Sequence, residues 1–229
     1  MNRLLLPEFE YSQGKNPYND RLEAYQSFVL KDNQAEQFAG NWNKNIFGRE
    51  APLHLEIGVG MGHFMLEFLT KFPECNFVGL DYRFKRSFLV AKKLANTSSS
   101  SSFRFLRARG ERVPFMFAKE ELSAIHCYFL DPWPKERHHR RRLFQLDFFE
   151  NLCPLLKSGG KIYGKTDHIG LWEHLLELFQ NPIINKLYKI TLIDQKEWPL
   201  LPYFNIETHF EKIFKQQNLV LQGFFLEKK

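Results

Sequence analysis

The sequence predicts an α/β fold with a mostly parallel sheet of seven strands and helices on both faces. Short apolar segments alternate along the chain with segments whose apolar residues recur at helical spacing, which is typical of strand–helix units. The first strand-like run ends in a series of glycines, as expected for a buried strand followed by a tight turn. Hydrophobic residues make up 44% of the 229 residues, enough for one large core and too many for a disordered chain.

The predicted elements follow one another at a regular pitch. Strands are predicted at Leu53–Ile57, Asn76–Leu80, Phe103–Arg107, Ala124–Leu130, Lys161–Lys165, Leu187–Ile193 and Leu219–Leu226. Helices are predicted at Gln34–Phe47, Gly62–Phe72, Phe84–Asn96, Arg112–Lys119, Leu143–Leu156 and Leu171–Phe179. Residues 1–48 are polar and irregular, so we expect an N-terminal extension that packs on or flanks a single domain formed by residues 49–229. The serine-rich run Thr97–Ser102 is predicted to be a flexible loop.

The net charge of +6 favours a polyanionic partner, and its distribution is more informative than its size. The segment Lys135–Arg142 reads KERHHRRR and holds five cations against one acid, whereas the rest of the chain is nearly balanced. Such a focused basic patch suits binding to a phosphate backbone better than a diffuse excess of charge would.

Several other classes of protein are not expected. No apolar run approaches the roughly 18 residues of a membrane span, and the first ten residues do not resemble a secretory signal. Cys75, Cys127 and Cys153 are odd in number and form no CxxC pair, which argues against a disulfide framework or a cysteine zinc site. We therefore expect a monomer or homodimer in the reducing cytoplasm, with no membrane partner and no bound metal.

The first predicted strand ends in LEIGVGMG, where Gly58, Gly60 and Gly62 allow tight turns and let a ligand approach the main chain. Asp81 closes the next strand, and a carboxylate there can accept both hydroxyl hydrogens of a ribose. This arrangement suits either a dinucleotide or S-adenosylmethionine. Two features favour S-adenosylmethionine: histidine stands where the dinucleotide fingerprint has its third glycine, and the carboxylate of Glu56 would repel a pyrophosphate.

A second constellation follows the fourth predicted strand, in the sequence FLDPWPK. Ligands of open α/β sheets bind at the carboxyl ends of strands, so Asp131 is expected to point into the site. Two prolines stiffen the turn on both sides of Trp133. The basic segment begins directly after this turn, which favours contact with a phosphate backbone over a merely solvated face. Its two histidines have no carboxylate or cysteine at ligand spacing, so a metal site is not expected.

Four segments make the chain similar to a known family. They are LEIGVGMG at 55–62, FLDPWPKERHHRRR at 129–142, Thr166–Asp167 and Thr208–Glu211. Together they resemble the tRNA (guanine-N7-)-methyltransferases of bacterial type, over about residues 40–229. The resemblance implies a Rossmann-like methyltransferase fold, S-adenosylmethionine as cofactor and tRNA as partner, with methyl transfer to a guanosine in the variable loop.

The resemblance also implies roles for individual residues. The cofactor site would contain Glu56, Gly58, Gly60, Gly62, Asp81, Arg109 and Asp131, and Asp131 would also be the catalytic residue. The guanosine site would contain Lys135, Asp167, Thr208, His209, Phe210 and Glu211. Contacts to RNA would come from Arg137, His138, His139, Arg140, Arg141 and Arg142.

The sequence departs from the family pattern at a few places. Asp81 replaces the usual Glu, Arg109 replaces an Asp or Asn expected against the adenine, and His209 replaces Lys. The arginine–glycine pair that often follows the last motif is absent from residues 212–214. Arg109 and the altered 208–214 segment support an alternative interpretation, an RNA-binding protein of the same fold that has lost catalysis. A nicotinamide dehydrogenase is a more distant alternative.

The implied reaction constrains the chemistry of the site. Guanine N7 carries an in-plane lone pair and no proton, so its attack on a sulfonium methyl group needs alignment rather than a general base. Asp131 would stabilise the positive charge that develops on guanine. Guanine N1–H and the 2-amino group are adjacent donors that match one carboxylate, for which Asp167 and Glu211 are the candidates, with Thr208 as a helper. Thr208 and Glu211 also fit a capping box at the start of a helix.

Overall fold

The computed structural model describes residues 3–11, 15–97 and 101–229. Within them, one sheet contains eight strands: β1 Val29–Lys31, β2 Leu53–Ile57, β3 Asn76–Asp81, β4 Phe103–Arg107, β5 Leu122–Tyr128, β6 Leu156–Thr166, β7 Tyr188–Ile193 and β8 Gln222–Lys228. Their order in the sheet is β1-β4-β3-β2-β5-β6-β8-β7. Neighbouring strands are parallel from β1 to β6, whereas β8 is antiparallel to both β6 and β7.

The sheet confirms the predicted α/β fold class, with a difference in the number of strands. Every one of the seven predicted strands is present, most with shifts of up to three residues at the ends. Strand β6 begins at Leu156, five residues before the predicted start. The eighth strand, β1, comes from the segment predicted as an irregular extension, because three residues are too few to show a periodicity. Of the predicted flexible loop Thr97–Ser102, residues 98–100 lie outside the described residues.

Eight α-helices accompany the strands in the described residues. They are α1 Pro17–Leu22, α2 His63–Lys71, α3 Phe84–Leu94, α4 Val113–Met116, α5 Leu146–Leu152, α6 Ile169–Phe179, α7 Pro182–Leu187 and α8 His209–Gln216. The predicted helix Gln34–Phe47 is wrong: a 3-10 helix at Asp32–Glu36 and a π-helix at Trp42–Phe47 are separated by Gly40, whose φ of 80° ends a helix. No helix in these parts of the chain is long and apolar enough to cross a membrane.

The core lies in two layers, one on each face of the sheet. On one face, α2 and α3 pack against aromatic strand residues such as Phe77 and Phe105. On the other face, α5 and α6 pack against aliphatic residues such as Leu55 and Ile125. Each buried side chain of this size contributes about 1.5–3 kcal/mol through its removal from water. The central strands are therefore fixed from both sides, which makes their ends a rigid support for a site.

The N-terminal segment is fastened to one edge of the sheet. Strand β1 pairs in parallel with β4, so that Val29 lies opposite Phe105. The buried guanidinium of Arg107 pairs with Asp32, and that of Arg112 pairs with Glu36. These ion pairs hold buried cations that would otherwise be costly, so the segment is a structural part of the sheet edge rather than a free arm.

A crevice forms where the direction of the chain connections reverses. Strand β2 lies between β3 and β5, and the chain leaves β2 toward β3 through α2 but leaves β5 toward β6 through α5. The loops after β2 and β5 therefore diverge at the carboxyl ends of these strands. In open α/β sheets this switch point is the usual place for a ligand.

Candidate active site

A cavity of about 660 Å³ opens at the carboxyl ends of β2, β3 and β5. Its walls come from the loop after β2, the end of β3, the loop after β5 and the start of α8. The predicted site residues that line it are Glu56, Gly58, Gly60, Asp81, Arg109, Asp131, Arg141, Asp167, Thr208, His209 and Phe210. The structure thus brings six of the seven predicted cofactor residues together with four of the six predicted guanosine residues.

The loop after β2 depends on glycine at two positions. Gly58 has a φ of 83°, and a Cβ atom there would lie only 2.7 Å from Cδ2 of Leu130. Gly60 has a φ of 58°, and its N–H donates to the carboxylate of Asp81 at 3.1 Å. Both values of φ lie in the left-handed region that favours glycine. The glycine spacing therefore sets the shape of this wall of the cavity.

Three residues that the sequence predicts for the cofactor and guanosine sites do not line the cavity: Gly62, Lys135 and Glu211, the last of which is described below with α8. Gly62 is the N-cap of α2, and a Cβ atom there would crowd Val90 of α3 at 3.3 Å. Its glycine is therefore explained by helix packing rather than by ligand contact. Lys135 is exposed at the start of the basic segment and does not reach the cavity wall, so its predicted contact with guanosine has no support from this geometry.

Two buried carboxylates lie beneath the glycine loop. Asp81 accepts the N–H groups of Gly60 and Arg83, at 3.1 and 2.9 Å, so its orientation is fixed. Glu56 is 3% exposed, and its Oε2 has no hydrogen-bond partner among the described residues. Burial, with a smaller contribution from the charge of Asp81, raises the pKa of Glu56 to about 8. An unpartnered buried carboxylate oxygen fits a cationic ligand such as a sulfonium or ammonium group.

Asp131 projects from a strained turn at the end of β5. Phe129 and Trp133, on either side of it, have φ values of 53° and 46°, a region that large side chains rarely adopt. The N–H of Phe129 donates to the main-chain carbonyl of Lys165 at 2.8 Å, which anchors the turn to β6. The carboxylate of Asp131 is about half exposed and pairs with Arg83 at 3.2 Å. Asp131 therefore stands at the mouth of the cavity, and its catalytic role stays a prediction.

The basic segment forms a 3-10 helix over Glu136–Arg141 beside the cavity. Arg137, Arg140 and Arg141 are exposed, and the guanidinium of Arg141 lies 5.2 Å from the centroid of the Trp133 ring. The ring of His138 meets Trp133 edge-on at 5.7 Å. The exposed guanidinium groups are free to meet phosphates, and their contact with RNA stays a prediction.

Arg142 differs from the arginines before it. Its side chain is 4% exposed, and its Nε and Nη1 donate to the main-chain carbonyls of Pro132 and Gly170, at 2.8 and 3.1 Å. Its Nη2 lies 2.9 Å from Nε2 of His139. These contacts contradict the predicted RNA contact of Arg142, because its donors are occupied inside the protein. Arg142 instead ties the Asp131 turn to the start of α6.

The Thr208–Glu211 motif forms the capped start of α8. The Thr208 hydroxyl accepts the N–H of Glu211 at 3.1 Å, so Thr208 caps the helix. The Glu211 side chain does not complete a capping box, because its carboxylate is engaged elsewhere. The carboxylate of Glu211 is 2% exposed and pairs with Lys165 and Lys215, both at 2.8 Å. It does not line the cavity, which contradicts its predicted contact with guanine. The other residues of the motif do face the cavity.

Asp167 and His209 also line the cavity. Asp167 is half-buried just after β6, and burial raises its pKa. The ring of His209 stacks on that of His63, with 4.8 Å between the centroids, so the starts of α2 and α8 touch. Because Glu211 is occupied, Asp167 is the candidate carboxylate that remains for the guanine edge.

Arg109, which the resemblance predicts to lie against the adenine, contacts the residue that follows β3. Its guanidinium is 4.0 Å from the centroid of the Tyr82 ring, and its main-chain N–H donates to the Tyr11 hydroxyl at 3.2 Å. Arg109 also lines a neighbouring cavity of about 900 Å³, together with Arg140 and Arg141. Arg109 therefore faces both the predicted cofactor site and the basic surface.

Two residues of this region were not anticipated from the sequence. Lys165 is buried behind the cavity. The sequence feature that could have indicated it is a lysine at the end of a strand in a sheet predicted to be covered on both faces. His63 follows the glycine loop directly and stacks on the guanosine-site helix, a contact that no local pattern indicates. In the described ranges 3–11, 15–97 and 101–229, no cluster of three histidine, cysteine or acidic side chains could hold a metal ion.

Comparison with known sequences agrees with this geometry. Residues 50–221 match the family described as "Putative methyltransferase". A tRNA (guanine-N(7)-)-methyltransferase from Oenococcus oeni is 32% identical over 198 residues, which cover 86% of this chain and 90% of that protein. The family match therefore includes every residue that lines the cavity and strands β2 to β7.

Comparison with solved structures shows the same fold at lower identity. An antibiotic-related methyltransferase superposes with a TM-score of 0.55 and 16% identity, over 81% of this chain and 91% of that one. The 16S rRNA methyltransferase KamB superposes with a TM-score of 0.55 and 13% identity, over 82% of this chain and 92% of that one. At these identities the likeness concerns the arrangement of the strands and helices.

Proposed function

Because the chain belongs to the tRNA (guanine-N7-)-methyltransferase family, we propose that it methylates N7 of a guanosine in the variable loop of tRNA. It is a methyltransferase that uses S-adenosylmethionine. The observation that carries the proposal is one cavity that contains the unpartnered oxygen of Glu56 and the carboxylate of Asp131. Exposed arginines lie on the 3-10 helix that follows the Asp131 turn, and one of them, Arg141, lines the cavity.

When bound, S-adenosylmethionine supplies a methyl group activated by a sulfonium. Because guanine N7 has a lone pair and no proton, the residues of the cavity need to align the reactants rather than remove a proton. Glu56 and Asp81 would hold the cofactor, the first through its charge and the second through ribose hydroxyls. Asp131 provides a negative charge at the mouth of the cavity, where it would stabilise the positive charge that develops on guanine.

Recognition of guanine is proposed to depend on Asp167. Guanine presents N1–H and a 2-amino group side by side, and one carboxylate can accept both. Asp167 lines the cavity, whereas Glu211 is buried in its pairs with Lys165 and Lys215. Thr208 lines the cavity but already caps α8, so its hydroxyl has one lone pair and its proton left for the substrate.

The target guanosine has to leave a base-paired helix or lie in a loop. N7 lies in the major groove, which is deep and narrow in A-form RNA, so a cavity of this shape cannot reach it in a duplex. Arg137, Arg140 and Arg141 would hold the phosphates beside such a loop.

The tRNA substrate and the three free cysteines agree with a location in the cytoplasm, which we propose as the site of the activity.

The test is methyl transfer to a defined tRNA. The purified protein is incubated with S-adenosylmethionine that carries a labelled methyl group and with a tRNA transcript whose variable loop contains a guanosine. The modified position is then mapped by chemical cleavage at N7-methylguanosine. A matched transcript with 7-deazaguanosine at that position lacks the acceptor nitrogen and keeps the same shape.

The proposal expects label in the first transcript and none in the second. Label in both would show that another atom is methylated. Label at a guanosine outside the variable loop would keep the reaction and refute the proposed position. Tight tRNA binding without any transfer would favour the alternative, an RNA-binding protein that has lost catalysis.

A further inference from the structure

Lys165, near the end of β6, is a cation buried completely in the protein. Its side chain is 0% exposed, and its Nζ donates to Oε2 of Glu211 at 2.8 Å. The same nitrogen donates to the main-chain carbonyls of Phe204 at 2.9 Å and Ile206 at 3.4 Å. Three aromatic rings lie 4.4–5.2 Å from it, those of Tyr128, Trp198 and Phe204. All three N–H groups of the ammonium therefore donate hydrogen bonds, and all three acceptors lie in segment 204–211.

Lys165 also contacts the other two segments on the substrate side of the cavity. Its main-chain carbonyl accepts the N–H of Phe129, in the turn that carries Asp131. Asp167 follows it by two residues and lines the cavity. The Asp131 turn, the Asp167 position and the start of α8 therefore meet at one residue. Lys165 does not line the cavity itself.

We propose that Lys165 is a positioning residue for methyl transfer, which holds the start of α8 in register with the Asp131 turn. This inference rests on the proposed function. The pair with Glu211 draws the first turn of α8 against the sheet, so that Thr208 and Phe210 face the cavity and the Glu211 carboxylate does not. Without Lys165, segment 204–211 would lose three hydrogen bonds to the end of β6.

A purely structural role makes a different prediction. Replacing both members of a buried ion pair with apolar residues of similar size is often neutral or stabilising, whereas removing one member leaves a buried charge. If Lys165 matters only for stability, the double variant Lys165→Met with Glu211→Met, measured well below its thermal midpoint, should keep the kcat and KM of the wild type. If Lys165 positions α8, this variant should fold and still have a lower kcat.

The experiment compares this double variant with the wild type and with Lys161→Met. Lys161 is a matched control because it lies on the same strand, pairs with Glu227 at 3.2 Å and is 4.9 Å from the ring centroid of Phe225, but is distant from the cavity wall. For each protein we would measure the thermal midpoint, hydrogen exchange of the amides of residues 204–211, and kcat and KM with tRNA.

For the double variant we expect a lower thermal midpoint, because the carbonyls of Phe204 and Ile206 lose their donor. We also expect exchange in 204–211 at least about tenfold faster and kcat, measured well below that midpoint, at least about tenfold lower. The control should match the wild type in all three. Wild-type exchange and kcat in the double variant would overturn the inference. If that variant does not fold, the double variant Lys165→Gln with Glu211→Gln, which keeps a donor and an acceptor and removes both charges, is held to the same criteria. Exchange does not depend on methyl transfer, so a wild type that fails to methylate would refute the proposed function without deciding this inference.

Discussion

The two ends of the cavity are built on opposite principles. At the glycine-loop end, Glu56 and Asp81 are buried, and the main chain fixes the orientation of Asp81. At the other end, Arg140 and Arg141 stand exposed on a short 3-10 helix. The first end is organised before binding and suits one small cation. The second offers charges that act over about 8–10 Å through water and need no fixed geometry. A small cofactor and a large polyanion place these different demands on one site.

Asp131 lies between the two ends, so its replacement should have the largest effect. Asp131→Ala should lower kcat for methyl transfer at least about 100-fold, because a carboxylate near the developing charge is lost. The affinities for S-adenosylmethionine and for tRNA should change much less. Single-turnover measurements with excess enzyme test this. Glu136→Ala, in the exposed neighbouring loop, is the control and should keep wild-type turnover. Turnover near that of the wild type in Asp131→Ala would remove the residue from the catalytic assignment.

Glu56 should make cofactor binding depend on pH. Its pKa of about 8 means that the free protein holds the proton at pH 7, whereas a bound cation favours the ionised form. Binding therefore releases a proton, and affinity should rise toward pH 8, by at most about tenfold per pH unit. Calorimetric titrations in two buffers that differ in ionisation enthalpy would count the protons released.

Glu56→Gln provides the comparison for this prediction. The glutamine side chain cannot ionise, so this variant should bind S-adenosylmethionine about tenfold more weakly at pH 8. It should also release fewer protons on binding than the wild type. The free energy of unfolding of the wild type should fall with rising pH, whereas its affinity for S-adenosylmethionine should rise. The folded protein keeps a proton that the unfolded chain loses near pH 4.5, so wild-type stability falls as pH rises from there to about 8. Equal pH dependence in both proteins would show that Glu56 does not carry the effect.

The arginines of the basic segment sharpen the contrast between exposed and buried charge. Replacing Arg140 and Arg141 with Ser should weaken tRNA binding and reduce the slope of log affinity against log salt by about two, one for each phosphate contact. Arg142→Ser should instead lower the thermal midpoint, because it leaves two carbonyls without donors. Filter binding across a salt series and thermal melts measure the two effects. If Arg142→Ser reduced the slope of log affinity against log salt as much as each replacement of Arg140 and Arg141, Arg142 would also contact RNA.

Arg109 should show the smallest effect. A guanidinium has no acceptor for the adenine amino group, so Arg109→Asp should tighten S-adenosylmethionine binding a few-fold, about 1 kcal/mol, and change tRNA affinity little. The loss of its contact with the Tyr82 ring limits the gain. Calorimetric titration with both ligands tests this. Unchanged cofactor affinity with weaker tRNA binding would assign Arg109 to the RNA.

The parts of the site that were predictable from the sequence are those with local causes. The glycine loop has a spacing that follows from backbone geometry, and Asp131 is located by a strand end and two prolines. The position of the capped start of α8 was also visible, as an alternative interpretation of the Thr208–Glu211 motif. In each case a few neighbouring residues determine the structure.

The parts that were not predictable depend on contacts between distant residues. Nothing in a run of three arginines shows that Arg142 meets the carbonyl of Gly170. The pair of Lys165 with Glu211 joins the end of one strand to a helix in another part of the chain, and it removes Glu211 from the guanosine site. Strand β1 is defined by its pairing with β4 rather than by its own three residues. Burial and contacts between distant residues determine these three features, and the spacing of neighbouring residues predicts neither.

The pairing of β1 with β4 has a consequence for the order in which the chain folds. Val29 is synthesised long before its partner Phe105, so during translation the N-terminal segment waits unpaired until β4 has been made. When β1 pairs, its three residues cover the edge of β4, and the segment after it brings Asp32 and Glu36 to the buried Arg107 and Arg112. A shortened chain that begins after residue 36 would keep every residue of the cavity. It would nevertheless expose a strand edge and two unpaired buried cations, and should accumulate as aggregates rather than as a smaller active enzyme.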